Sequence, residues 1–270
     1  MPTARSRSGD VPLDILTDPA HGGRWTSLRA GSREWLWRRE DPLRAGVAPG
    51  DAFVDAGGLE ECVPTVRGTP DHGDAWSRSW TDHGNGTQSV RCERFALTRT
   101  IRATVDGAET DYVFTADPGH RFLWAAHALL ALSERAALHL REGAHTRLYP
   151  DPEPCVEGSW PAPRGVRLDR LGPDDGTAVG AVVDTAGACV HDDEDRLALT
   201  VEADGQPLSI ALWRNLGGFP AHHPYRSTGV EPMLGRVFDL AEAGPGHAAV
   251  VPASGEVRWR LTLTDGCACP

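Results

Sequence analysis

Four stretches of the chain gather residue types that do chemistry. The first, AGGLEECVPTVRGTPDHGDAWSRSW (residues 56–80), sets Glu60, Glu61, Arg67, Asp71, His72 and Arg78 beside two tryptophans, Trp76 and Trp80. A core strand has no use for those charges, and a solvated loop has no use for the indoles. A pocket for a polar, ring-shaped molecule uses both. Indole faces stack on the C–H side of a sugar ring, while Arg, Asp and His bind its hydroxyls. The competing reading makes both tryptophans core and the charges rim; for Trp80 alone the core reading is the stronger.

The second stretch is His127 in LWAAHALLAL. A lone histidine in an apolar run is most often a hydrogen-bonded core residue. Its functional reading is a general acid, since an imidazole titrates near neutral pH. In the third, LWRNLGGFPAHHPYR, Trp213, Asn215, Gly217, Gly218, His222, His223, Tyr225 and Arg226 follow a strand into a loop. Adjacent histidines on a strand point to opposite faces, which weakens a metal reading. The fourth is Glu231 in STGVEPMLGR, between Val230 and Pro232. Proline biases Glu231 toward an extended backbone. A carboxylate desolvated by such neighbours has a raised pKa and becomes a usable base. The plain alternative is an exposed loop glutamate. No Gly-rich phosphate loop, G-x-S-x-G elbow or H-E-x-x-H occurs, so dinucleotide, α/β-hydrolase and zincin chemistries lose support.

Strands must carry these groups. RWTSLRAGSREWLW reads as a hairpin around Ala-Gly-Ser. In RFALTRTIRATV, Phe95, Leu97, Ile101, Ala103 and Val105 share a face that Arg99 interrupts, and DGAE then turns the chain into TDYVFTAD. RLALTV and PLSIALW alternate on either side of EADGQ, and EVRWRLTLTD places Val257, Trp259, Leu261 and Leu263 on one face. This is the period of a half-buried strand. The stretch RFLWAAHALLALSERAALHL fits helix and strand equally. Gly, Pro and Asp clusters such as YPDPEPC and LGPDDG supply turns. The pattern predicts an all-β protein, a large antiparallel β-sandwich. One domain over residues 1–270 is expected, loosely ordered at 1–18 and 266–270.

A formal net charge of −11 repels nucleic acid and anionic membranes, so neither is expected as a partner. No apolar run is long enough to span a bilayer and no secretory signal is evident. The six cysteines are scattered and predict reduced thiols in a cytoplasmic protein; the terminal Cys267-x-Cys269 is a weak metal candidate.

Taken in order, the segments resemble the galactose mutarotase (aldose 1-epimerase) family, in particular its short bacterial aldose epimerase-like branch. GGRWTSLRAGSREWLW resembles the family's first hairpin. GGLEECVPTV and PDHGDAWSRSW resemble the segment in which a Gly-Gly-x-Asp/Glu-Glu-Cys-x-Pro-Thr run precedes Asp-His-Gly. LWAAHALLAL resembles the segment of the acid histidine; LWRNLGGFP and GVEPMLGR resemble the two late segments. The resemblance covers roughly residues 20 to 265. It implies a β-supersandwich and an isomerase of carbohydrate metabolism that interconverts α and β anomers of a sugar without cofactor or metal. It also implies roles: His72 bonds a ring hydroxyl or the ring oxygen, His127 is the general acid and Glu231 the general base. Arg67, Asp71, Trp76, Arg78, Trp213 and Asn215 are the expected sugar contacts. For the family's sugar-binding aspartate, Asp184, Asp192, Asp193 and Asp195 all compete. Ala126 and Ala128 flank His127 where better-known members carry Asn and aromatic residues, so hydroxyl contacts are missing or differently supplied. Two other readings stay open. One is the same scaffold acting on a phosphorylated sugar or an intermediate of specialised metabolism, with Arg67, Arg78 and Arg226 as a phosphate clamp. The other is a carbohydrate-binding protein without catalysis.

Overall fold

The computed structural model describes residues 12–150 and 154–267. Two large sheets stack face to face. From edge to edge, the larger runs Leu13–Asp18, Arg24–Ala30, Leu59–Cys62, Trp124–Leu130, Tyr225–Leu234, Leu208–Phe219, Thr177–Val183, His145–Pro150 and Val156–Ser159, with Arg33–Glu34 paired to Arg24–Ala30. The smaller runs Ala137–His139, Gly187–Asp192, Asp195–Glu202, Glu256–Asp265, Gly107–Ala116, Phe95–Ala103, Thr87–Arg91 and Thr81–Gly84. The pairings within both are antiparallel. The protein is an all-β sandwich.

The expected hairpins form. Val257, Trp259, Leu261 and Leu263 all turn inward, each under a twentieth exposed. Val105 does not: it lies past the end of Phe95–Ala103 and is 80% exposed. RLALTV and PLSIALW fall in different sheets, so EADGQ carries the chain from one layer to the other. The segment that fitted helix or strand is a strand at Trp124–Leu130, with all seven residues buried. Because both its faces are covered, the apolar run is continuous and the alternation that marks a strand is lost. Leu13–Asp18, expected to be loosely ordered, is the edge strand of the larger sheet. Cys269 lies outside the described residues. Cys189 is disulfide-bonded, which corrects the expectation of uniformly reduced thiols, whereas Cys62, Cys92 and Cys155 are free. No helix among the described residues is long and apolar enough to cross a membrane.

Between the sheets lies an apolar core in which Tyr112 stacks on Trp259 at 5.0 Å and Phe114 on Phe122 at 4.0 Å. Arg99 sits inside it, completely buried. Its guanidinium donates to Glu61 Oε1 at 2.7 Å and to Gln88 Oε1, and lies over the Trp80 ring. Glu61 also accepts from Tyr112 Oη at 2.9 Å and from Trp124 Nε1 at 2.7 Å. The arginine that interrupted an apolar face is thus the partner of a buried carboxylate. Such a charge is tolerated in a core only when paired and hydrogen-bonded. A second, smaller apolar cluster, including Cys62, Ala125, Ala211, Met233 and Phe238, covers the other face of the larger sheet. That face carries the site.

Candidate active site

Successive strand residues face opposite ways. On Trp124–Leu130 this sends Ala126 and Ala128 into the core between the sheets, and His127, with Ala125, to the outer face. On Leu59–Cys62 it separates the paired glutamates. Glu61 enters the core; Glu60, register partner of His127, goes to the outer face. There Arg44 holds Glu60 with Nη2–Oε1 at 2.9 Å and Nε–Oε1 at 3.1 Å. Burial raises the Glu60 carboxyl to about 7 despite Arg44. Two steps across the sheet from Leu59–Cys62, the strand Tyr225–Leu234 presents Glu231, 1% exposed.

His127 Nδ1 stands 2.9 Å from Glu231 Oε1. Glu231 Oε2 is buried with no hydrogen-bond partner among the described residues. Burial alone would discharge His127, but the adjacent Glu231 carboxylate prevails, with help from Asp55 and Glu60, and raises the imidazole to about 9. Glu231 has room because residue 229 is glycine: a Cβ there would lie 2.3 Å from Glu231 Oε1 and 2.9 Å from Trp213 Cβ. His72 has the left-handed backbone φ of 59°, unusual outside glycine. Its ring stacks on Phe53 at 3.6 Å and meets His127 edge-on at 5.1 Å. Burial pushes His72 below the usual imidazole range; Asp71, 3.2 Å away, opposes this, and the positive His127 reinforces it. The two imidazoles are thus shifted in opposite directions, His127 up and His72 down.

These groups line one cleft of about 570 Å3, together with Arg67, Asp71 and Trp213. Trp76 and Arg78 do not line it. Trp76 is 1% exposed and lies beneath the Arg44 guanidinium, against the edge of Phe53. Arg78 Nη2 faces Asp74 at 4.0 Å. Asn215 is fully buried: its Oδ1 accepts from the backbone of Gly218 and Phe219, and its Nδ2 donates to Phe219 O, so its amide shapes the turn. Asp184 pairs with Arg147, Asp192 and Asp195 with Arg33, and Asp193 with Arg135, all away from the cleft. The cleft's aspartates are Asp41, Asp55 and Asp71. Sequence reasoning missed Phe53, Tyr149 and Phe238, which also line the cleft. Phe53, two residues after Asp51 in a Gly- and Asp-rich loop, carries no periodic signal.

No family model matches the chain, and no curated protein is similar to it in sequence. Solved structures are similar in fold. A candidate aldose 1-epimerase from Escherichia coli K12 superposes with a TM-score of 0.69 at 14% identity, over 96% of each chain. A galactose mutarotase related enzyme from Lactobacillus acidophilus gives 0.65 at 12% identity, over 97% of this chain and 96% of that one. A galactose mutarotase-like protein from Lactobacillus casei gives 0.59 at 16% identity, over 93% and 99%. The fold is mutarotase-like. At these identities the likeness is one of fold alone. The mutarotase-like larger sheet carries His127 and Glu231 on neighbouring interior strands.

Proposed function

We propose that the protein is a sugar 1-epimerase, with Glu231 as general base, His127 as general acid and His72 as a hydrogen-bonding partner of the substrate. The carrying observation is the His127–Glu231 pair, at 2.9 Å within the cleft, beside an unpartnered carboxylate oxygen. The anomeric hydroxyl and the ring oxygen of an aldose share one carbon, so their two partners must also be neighbours. Glu231 takes the proton from the anomeric hydroxyl as an imidazolium N–H of His127 gives one to the ring oxygen. The C1–O5 bond breaks, its electron pair stays on O5, and C1 becomes an aldehyde. After rotation about C1–C2, O5 attacks the other face of C1. O5 returns its proton to His127, and the carbonyl oxygen regains one from Glu231. Neutral His72, with Arg67 and Asp71, binds ring oxygens, and Trp213 offers a stacking face.

The phosphorylated-sugar reading needs arginines that converge. Arg226 is instead bound to Leu132 O, Ser133 O, Gly172 O and Asp174, and Arg78 lies outside the cleft, which leaves Arg67 of the three.

Magnetization-transfer NMR on a panel of free aldoses tests the proposal. Exchange between anomers above the buffer rate is expected, reduced ~10²–10⁴-fold in Glu231→Gln. Undiminished exchange in that variant would remove Glu231 from the mechanism. Sugar binding without exchange in the native protein would favour the non-catalytic reading.

A further inference from the structure

The cleft is chemically lopsided. Its floor crosses the larger sheet from ionisable to aromatic. Register partners place Gly229 beside Trp213, Trp213 beside Gly180, and Gly180 beside Tyr149. At about 4.8 Å per strand, Tyr149 lies three strands, or ~14 Å, from the strand of Glu231. Gly180, without a side chain, admits the Phe238 ring, to which a Cβ would come within 3.1 Å; Phe238 in turn meets Tyr149 edge-on at 4.9 Å. Trp213 meets Phe219 edge-on at 5.7 Å. Leu43 and Phe219, both cleft-lining, are 71% and 49% exposed.

Polar side chains at this end are few: Arg67, whose backbone N–H donates to Phe238 O, and the hydroxyl of Tyr149. Asn215 is consumed by its turn, and Tyr225 donates its hydroxyl to Asp55. The volume is also generous. At about 570 Å3 the cleft is the size of a small-molecule pocket and has room beyond the dozen or so non-hydrogen atoms of a hexopyranose.

We infer that the substrate is a pyranose bearing an apolar substituent away from its anomeric carbon, seated among Trp213, Phe219, Phe238 and Tyr149. The hemiacetal end lies on His127 and Glu231, and the substituent covers the aromatic end. Apolar contact rather than hydroxyl bonding then sets specificity. This rests on the 1-epimerase reading for the orientation of the ring, but not for the existence of the apolar subsite.

The test is calorimetric titration of the native protein with D-galactose, D-glucose and the 4-O- and 6-O-benzyl ethers of each, with anomeric exchange measured in parallel. At least one ether is expected to bind about tenfold or more tighter than its parent, since even one methylene in an apolar pocket discriminates by that order. The variant Phe219→Ser changes a half-exposed residue and so spares the core; in it the ratio of ether to parent affinity falls at least severalfold. Ethers that bind no tighter than their parents, or a ratio unchanged in the variant, would overturn the inference. Exchange of the parent sugars with no preference for any ether would sink the inference alone. Tight ether binding without exchange of any sugar would instead sink the 1-epimerase reading and leave the subsite.

Discussion

His127 is held between opposing effects: burial removes its charge and Glu231 restores it, with a net rise to about 9. An acid so placed stays protonated through neutrality. On the 1-epimerase reading, the expected consequence is an exchange rate that falls as pH rises through about 9, measured as a pH–rate profile on the free protein. A descending limb near the unperturbed imidazole value would show that the pair does not govern the acid. Gly229 belongs to the same scale. In Gly229→Ala the new methyl meets the flexible end of Glu231 and the Cβ of Trp213. The carboxylate can swing aside, but it leaves its place beside His127, and the Trp213 Cβ cannot follow it. The thermal midpoint is expected to fall, because the Trp213 Cβ cannot swing away and the two strands must part, and kcat/KM to fall tenfold or more, because misplacing a reacting group by about 1 Å costs up to ~10²-fold. A full-rate Gly229→Ala enzyme would mean that the observed Glu231 position is not the working one.

At the scale of elements, what could be read from the sequence followed burial. Glu256–Asp265 was legible because one face is core and the other is solvated. Trp124–Leu130 was not, because all seven residues are buried and the residues flanking His127 along the strand are all apolar. The site divides likewise. His72, His127 and Glu231 were singled out by residue type and setting, and they converge in one cleft. Asn215 and Trp76 have the right types but are spent on a turn and on the support of Arg44, and only tertiary contacts distinguish those uses. Arg99 read as an interruption until Glu61 from the facing sheet was placed against it. That cross-sheet pair makes a stability prediction. Arg99→Met strands the Glu61 charge in the core and should cost about 3–5 kcal/mol in urea unfolding. Arg99→Met/Glu61→Gln should recover part of it, because the neutral amide accepts from Trp124 Nε1 and donates to Tyr112 Oη, while Gln88 Oε1 and Gly23 O still lack the donors of Arg99. No recovery would mean that shape rather than charge governs the position.

For the whole molecule, two buried outer-face groups tie stability to pH in the same direction. His127 and Glu60 both bind protons more tightly when folded, up to about 9 and about 7. The Glu60 contribution is complete below the ordinary carboxylate range and lost as pH rises through about 7; that of His127 is complete below 6.5 and lost as pH rises through about 9. The thermal midpoint is therefore expected to decline from pH 7 to 9.5, whereas between pH 5 and 6.5 histidines held below their ordinary range, His72 and His191 among them, act in the opposite sense. In His127→Gln that decline should flatten, and an identical slope in the variant would exclude His127 as its source. The sheet order has a further consequence, for time. The strands that meet at the site, Leu59–Cys62, Trp124–Leu130 and Tyr225–Leu234, are neighbours in space but lie far apart along the chain. Loops that long must close before any of these pairings is rewarded, which makes such contacts slow to form. No hairpin and no early fragment of the growing chain holds the acid beside the base. The His127–Glu231 pair forms only once the late strand Tyr225–Leu234 has joined the sheet, and until then His127 is only a histidine in an apolar strand.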